Sequence, residues 1–208
     1  TPAARRSLVA LFLATFAELT GVFLFAPLLL FQLTARGLDS TAAGLFAALN
    51  WAGVLVATPF ASTAVQRLGT ARALLVSGAV PVVAMAGIQL STALPLWAGL
   101  YLLSGMAAAL RWVLSESLVA RLAPPERRGR LMGLFSTMIG ATFMVGPALL
   151  SAMLARGHTA HDAGWVALGL VVAGLVGLAW VRAPELAHEG AAAATAGAAM
   201  AQAVRRTK

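Results

Sequence analysis

Three ionisable side chains, Glu18, Arg111 and Glu116, stand inside long apolar runs and are the residues best placed to do chemistry. Glu18 lies in the middle of "FLATFAELTGVFLF", residues 12–25, a stretch otherwise suited to lipid. A charge at bilayer depth is costly; such groups face the protein interior, pair with one another and mark pathways. Glu18 follows Arg6 by twelve residues, about 18 Å along a helix, and Arg111 precedes Arg121 by ten, about 15 Å. If Arg6 and Arg121 mark the same membrane face, the two opposite charges share a depth near the midplane and are predicted partners. Glu116 is only five residues from Arg121, nearer the interface, where a structural or gating role is expected. Trp112, beside Arg111, either stacks on a ligand or faces lipid. Glu18 has three uses open to it: carrying a proton, contacting a substrate, or holding two helices together. Burial favours a neutral carboxyl and a nearby guanidinium favours the ionised one, so proton coupling stays among them.

The elements that position these groups are read from hydropathy. Of 208 residues, 60% are hydrophobic and 11% charged, against about a quarter charged in soluble domains. The mean hydropathy is +0.87. Roughly 20 apolar helical residues span a bilayer, and six such runs follow one another. The first covers Ser7 to Leu33, and the second Ala42 to Val65. The third starts after Arg72 and is broken from the fourth by "STALP" (91–95), and the fourth ends near Ala120. The fifth covers Leu131 to Leu154 and the sixth Gly164 to Val181. The runs are continuous rather than alternating, which excludes a β-barrel. Small residues at helical spacing, Gly169, Ala173 and Gly177 in the sixth span and Gly133, Gly140 and Ala148 in the fifth, are expected to let helices approach closely. Beyond the sixth span an Ala/Gly-rich tail ends in "VRRTK". The chain begins at Thr1 rather than Met, so a processed or truncated chain is expected. Its first run is about twice the length of a signal-peptide core and has no cleavage site.

With six alternating spans, Arg5, Arg6, Arg67, Arg72, Arg121, Arg127, Arg128 and Arg130 fall on one side, and only Arg36 and Arg156 on the other. The positive-inside rule then makes both termini cytoplasmic. The net charge of +8 comes from short clusters between apolar runs, not a basic face with interleaved aromatics, so no nucleic-acid partner is expected. Without cysteine, thiol catalysis and cysteine metal sites are excluded. His158, His161 and His188 all lie outside the spans, and "HTAHD" (158–162) reads as a solvated loop rather than a metal site. No phosphate-binding glycine motif occurs. The sequence predicts no enzyme, no cofactor and no metal; Ser115, Glu116 and Ser117 are the last residues an intramembrane enzyme could use.

Four short stretches resemble the major facilitator superfamily. "STAVQRLGTAR" (62–72) is similar to its Gly-x-x-x-Asp-Arg-x-Gly-x-x-Arg loop: Arg67 and Gly69 match, Arg72 approximates the closing basic residue, and Ser62 and Gln66 replace the Gly and Asp. "APPERRGRLMGLF" (123–135) resembles the loop entering span five, with Pro124, Pro125, Arg128 and Gly129 in register. "GATFMVGP" (140–147) resembles the Gly-Pro motif of that span, carried by Gly140, Gly146 and Pro147, and "GLDSTAAGLF" (37–46) the start of span two. The resemblance covers residues 6–183, one half of a twelve-span fold, and the order of motifs implies the N-terminal half. It implies that spans one and four line a central cavity. It also implies that Arg67, Gly69, Arg72 and Arg128 belong to gating loops, with Glu116 as the acidic partner of Arg67.

The expected fold is therefore an all-α integral membrane bundle of six transmembrane helices in two inverted three-helix repeats, residues 1–183, with a cytoplasmic tail or inter-half linker at 184–208. The expected function is secondary active transport of a small molecule by alternating access in the plasma (inner) membrane, completed by a second six-helix half or a homodimer partner. A non-transporting membrane scaffold or sensor is the alternative.

Overall fold

The computed structural model describes residues 2–181. Helices α1 (Pro2–Ala35), α2 (Ser40–Ala57), α3 (Ala61–Leu68), α4 (Thr70–Leu90), α5 (Leu94–Leu122), α6 (Arg128–Ala155) and α7 (Ala160–Ala179) follow one another, with no strand among the described residues. A single 3₁₀ turn, Thr58–Phe60, joins α2 to α3, and the joined segment Ser40–Leu68 is one of six stretches long and apolar enough to cross a membrane. Each expected span falls on one of these six. The sixth starts earlier than expected, at Ala160, because Thr159 and Asp162 form a reciprocal capping box there. The tail assigned to 184–208 lies outside the described residues.

Two connections share one design. Gly37 and Gly157 have φ of +88° and +85°, and the following residues turn back: Leu38 N–H donates to Leu33 O at 3.2 Å, and His158 N–H to Met153 O at 3.1 Å. Both are left-handed helix ends that glycine adopts without steric cost. Each is followed at once by an N-cap, Asp39, whose Oδ1 accepts from Ala42 N–H at 2.7 Å, and Thr159. These tight turns, together with the links from Gln89 to the backbone of His161 and from Arg36 to that of Thr92, gather one end of the bundle.

Helix pairing shows the internal symmetry. The first span packs on the sixth as the fourth packs on the third, the second on the fourth as the fifth on the first, and the third on the sixth closes the set. Exchanging spans one to three with four to six leaves this pattern unchanged, which is the signature of two three-helix repeats. Glycines occupy equivalent positions in it. Gly53 on α2 lies against the backbone of Leu102, Gly105 and Met106 on α5, and Gly146 on α6 lies against Phe23 and Leu24 on α1. Without water to drive apolar surfaces together, close backbone approach supplies the packing energy.

The small-residue stripe in α7 sits on a different face from the one expected. Gly164, Ala167, Val171, Gly174 and Leu178 are buried, whereas Gly169 meets nothing within 4 Å and Ala173 is exposed; only Gly177 of the expected set touches a neighbour, Ala14. In α6 Gly133 and Gly140 likewise face open space and Ala148 is exposed, while Gly146 is buried. Of the Gly140, Gly146 and Pro147 set, Gly146 alone does the close packing within this chain. Gly146→Ala is expected to lower the thermal unfolding midpoint in detergent by several degrees, because its Cβ would lie 2.7 Å from backbone atoms of α1. Gly140→Ala is expected to hold or raise it, since alanine favours helix by up to about 1 kcal/mol.

Candidate functional site

Two apolar layers divide the bundle. One gathers Leu24, Phe25, Leu28, Leu29 and Leu33 of α1 with Trp97, Ala167 and Val171; the other gathers Leu11 and Ala14 with Leu114, Leu118, Phe135 and Leu178. Glu18 lies between them on α1 and Arg111 between them on α5. Their side chains are 4% and 6% exposed and form an ion pair, with Arg111 Nε donating to Glu18 Oε2 at 2.9 Å and Nη2 lying 2.7 Å from the same oxygen. Gly174 of α7 stands directly behind Glu18, leaving no room for a side chain: a Cβ there would come within 2.6 Å of the Glu18 Cβ. The carboxylate is thus pressed towards α5 by a helix that yields no space.

Beside the pair lies a small cleft of about 70 Å³, lined by Thr15, Leu19, Val22 and Ile139 among apolar and small residues, and by Arg111, Trp112, Ser115 and Glu116 along α5. Trp112 is partly exposed, and its Nε1–H donates to Glu116 Oε1 at 2.9 Å. The structure therefore brings Glu18, Arg111, Trp112 and Glu116 to one place. It does not bring Glu116 to Arg67: no ion pair joins them among the described residues, and the glutamate is held by its own helix instead. Arg67, Arg72 and Arg128 are exposed at one end of the bundle, with Gly69 (φ +77°) making the turn from α3 to α4. Sequence reading missed Thr15, Ser104 and Asn50, and named Ser115 only as a candidate for an intramembrane enzyme; all four complete the cleft lining. Their signal is spacing: Thr15 is three residues before Glu18, and Ser115 four after Arg111, each on the same helical face. No group of three or more potential metal ligands occurs among the described residues.

A charge pair buried in a polar layer and open to a cleft can bind a polar molecule, move charge, or lock helices. Comparison with known proteins narrows these. The Major Facilitator Superfamily profile matches residues 11–207. Sequences described as the uncharacterized MFS-type transporter YcaD, from Salmonella paratyphi A, are 24% identical over 155 residues, 74% of this chain and 40% of their own length. Among solved structures, a mutant of the peptide transporter POT in complex with sulfate superposes with a TM-score of 0.76 at 19% identity, over 96% of this chain and 45% of that one. The same mutant in complex with alafosfalin gives a TM-score of 0.74 at 17% identity, over 96% and 46%. The likeness to these structures is one of fold, and the chain spans less than half the length of the relatives it matches.

Proposed function

Because the chain belongs to the Major Facilitator Superfamily, we propose that it forms the N-terminal six-helix half of a secondary transporter that moves a small molecule by alternating access. The observation that carries this reading is the buried Glu18–Arg111 pair, set at mid-depth between the first spans of two inverted repeats and lining a cleft. Transporters built from such repeats bind their substrate near the midplane at the repeat interface. A second six-helix half, or a second copy of this chain, supplies the facing wall. Arg67, Gly69, Arg72 and Arg128 serve the gating loops at the arginine-rich end, which faces the cytoplasm of the inner membrane along with both termini. Glu116, tied to Trp112, works at the mouth of the cleft rather than as the partner of Arg67. Glu18 is the group on which a proton would travel.

The absence of cysteine gives a direct test, because any introduced thiol is the sole one in the chain. Ala108 lines the cleft. An Ala108→Cys chain is expected to react with a membrane-impermeant maleimide in right-side-out vesicles and in inverted ones, since alternating access opens the site to each side in turn. Gln66→Cys and His158→Cys, at opposite ends, should each label from one side only. Labelling of position 108 from one side or from neither would favour a scaffold or sensor and count against transport.

A further inference from the structure

The reading of this cleft as the substrate site leaves open what the site takes, and the hydrogen-bond inventory around Arg111 bears on that. A guanidinium offers two flat edges, Nε with Nη2 and Nη1 with Nη2, each spaced to meet a carboxylate. Glu18 occupies the first edge through a single oxygen, Oε2. Neither Nη1 nor Nη2 has a hydrogen-bond acceptor: Nη2 is close enough to Oε2 for attraction but not aligned with it. The second edge is unfilled. Ser115 Oγ and Thr15 Oγ1 are also buried without a partner, in residues 3% and 4% exposed that line the cleft beside Arg111. They approach from two helices, Ser115 one turn along α5 and Thr15 one turn before Glu18 on α1.

Native proteins leave few buried polar groups unpaired, and hydroxyls in helices ordinarily turn back to a carbonyl of their own helix, as Ser77 and Thr142 do here. Thr15 and Ser115 do not. A pair that served only to tie α1 to α5 would need neither these hydroxyls nor a second guanidinium edge. Leu19, Val22, Pro81, Phe135 and Ile139 make the rest of the wall largely apolar.

Resting on the transporter reading of the cleft, we propose that the Nη1/Nη2 edge of Arg111, with the hydroxyls of Ser115 and Thr15, is a carboxylate-binding subsite, and that the substrates are small organic carboxylates with an apolar body. Glu18 is then a positioning residue that fixes the guanidinium by its inner edge and turns the outer edge to the ligand. Glu116, five residues and about 7.5 Å along α5 from Arg111, is the group that an amine on the same molecule would meet.

The test is equilibrium binding of butanoate, butanamide and 2-aminobutanoate to the purified chain in detergent, followed by tryptophan fluorescence. Butanoate is expected to bind at least tenfold more tightly than butanamide, which has the same shape without the charge. Ser115→Ala should weaken butanoate roughly tenfold, the scale of one hydrogen bond to a charged group, and leave butanamide unchanged. Adding Thr15→Val should weaken butanoate again, leaving only the preference that the Arg111 charge supplies, while the Glu18–Arg111 pair and the unfolding midpoint stay in place. Binding of 2-aminobutanoate as tightly as butanoate, or more tightly, supports the subsite. Equal binding of acid and amide, a preference left undiminished by loss of both hydroxyls, or 2-aminobutanoate binding no better than the amide would overturn it. The two readings fail separately. An acid preference with one-sided labelling of Ala108→Cys sinks transport alone, and two-sided labelling with no acid preference sinks the subsite alone.

Discussion

Arg111→Gln is expected to destabilise the folded chain by about 3–5 kcal/mol, the scale on which removing one partner of a buried ion pair acts. The cost arises because Glu18, 3% exposed, keeps its place behind α5 with Gly174 closing off retreat. It loses both its hydrogen-bond donor and the opposite charge. Glu18→Gln is expected to cost a comparable amount by stranding Arg111, two of whose nitrogens already lack acceptors. The double variant Glu18→Gln/Arg111→Gln should recover much of either loss, since two neutral amides can bond to each other at the same depth. The measurement is a double-mutant cycle on thermal or denaturant unfolding in detergent. Additive single effects would mean that the pair is not energetically coupled and would remove the basis for treating it as the organising contact between α1 and α5.

Gly105→Val should be damaging on a similar scale, at about 3 kcal/mol or more, because the added atoms collide with backbone rather than with a mobile side-chain tip. Gly105 lies directly against the Asn50 carbonyl of α2, and Gly53 lies reciprocally against α5. Neither helix can shift without disturbing the bond from Asn50 Nδ2 to Tyr101 O at 3.2 Å. The first consequence expected is loss of α2 from the bundle, since α5 is its main neighbour. Crosslinking between cysteines introduced on the two helices would follow it, and undiminished crosslinking together with an unchanged unfolding midpoint would refute the prediction. Gly99→Ala, on the same helix with nothing within 4 Å, is the matched control.

The charge pair was legible from sequence because its derivation needed only a helical rise and two interfacial arginines as depth marks. The spans were legible for the same reason: runs this apolar have few other solutions. The phase of the helices was not. A helix apolar on every side has no polar face to set its rotation, so the expected stripe was placed on Gly169, whereas Gly174, five residues on, is the one that packs. That Thr15 and Ser115 stand unpartnered in the cleft was hidden for another reason. Most hydroxyls in such helices satisfy themselves locally, as Thr137 does on Gly133 O, and a sequence does not say which ones are left over. Glu116 was expected to reach across to Arg67 but found an indole one turn away, a local contact that costs no loop rearrangement.

The 3₁₀ turn at Thr58–Phe60 gives the second span a compliant joint near its end. Pro59 has no N–H to return to the carbonyl of Leu55, and the turn replaces i→i+4 bonds by weaker i→i+3 ones just where α2 ends and α3 begins. Bending stiffness along the span is therefore lowest there. The eight residues of α3, with Arg67 in the last turn and Gly69 as a swivel beyond it, form a short lever arm on that compliant joint. Force applied to the loop is absorbed at Pro59 as an angle before it reaches the Gly53–Gly105 contact, so the loop can move while the packed part of α2 keeps its register on α5.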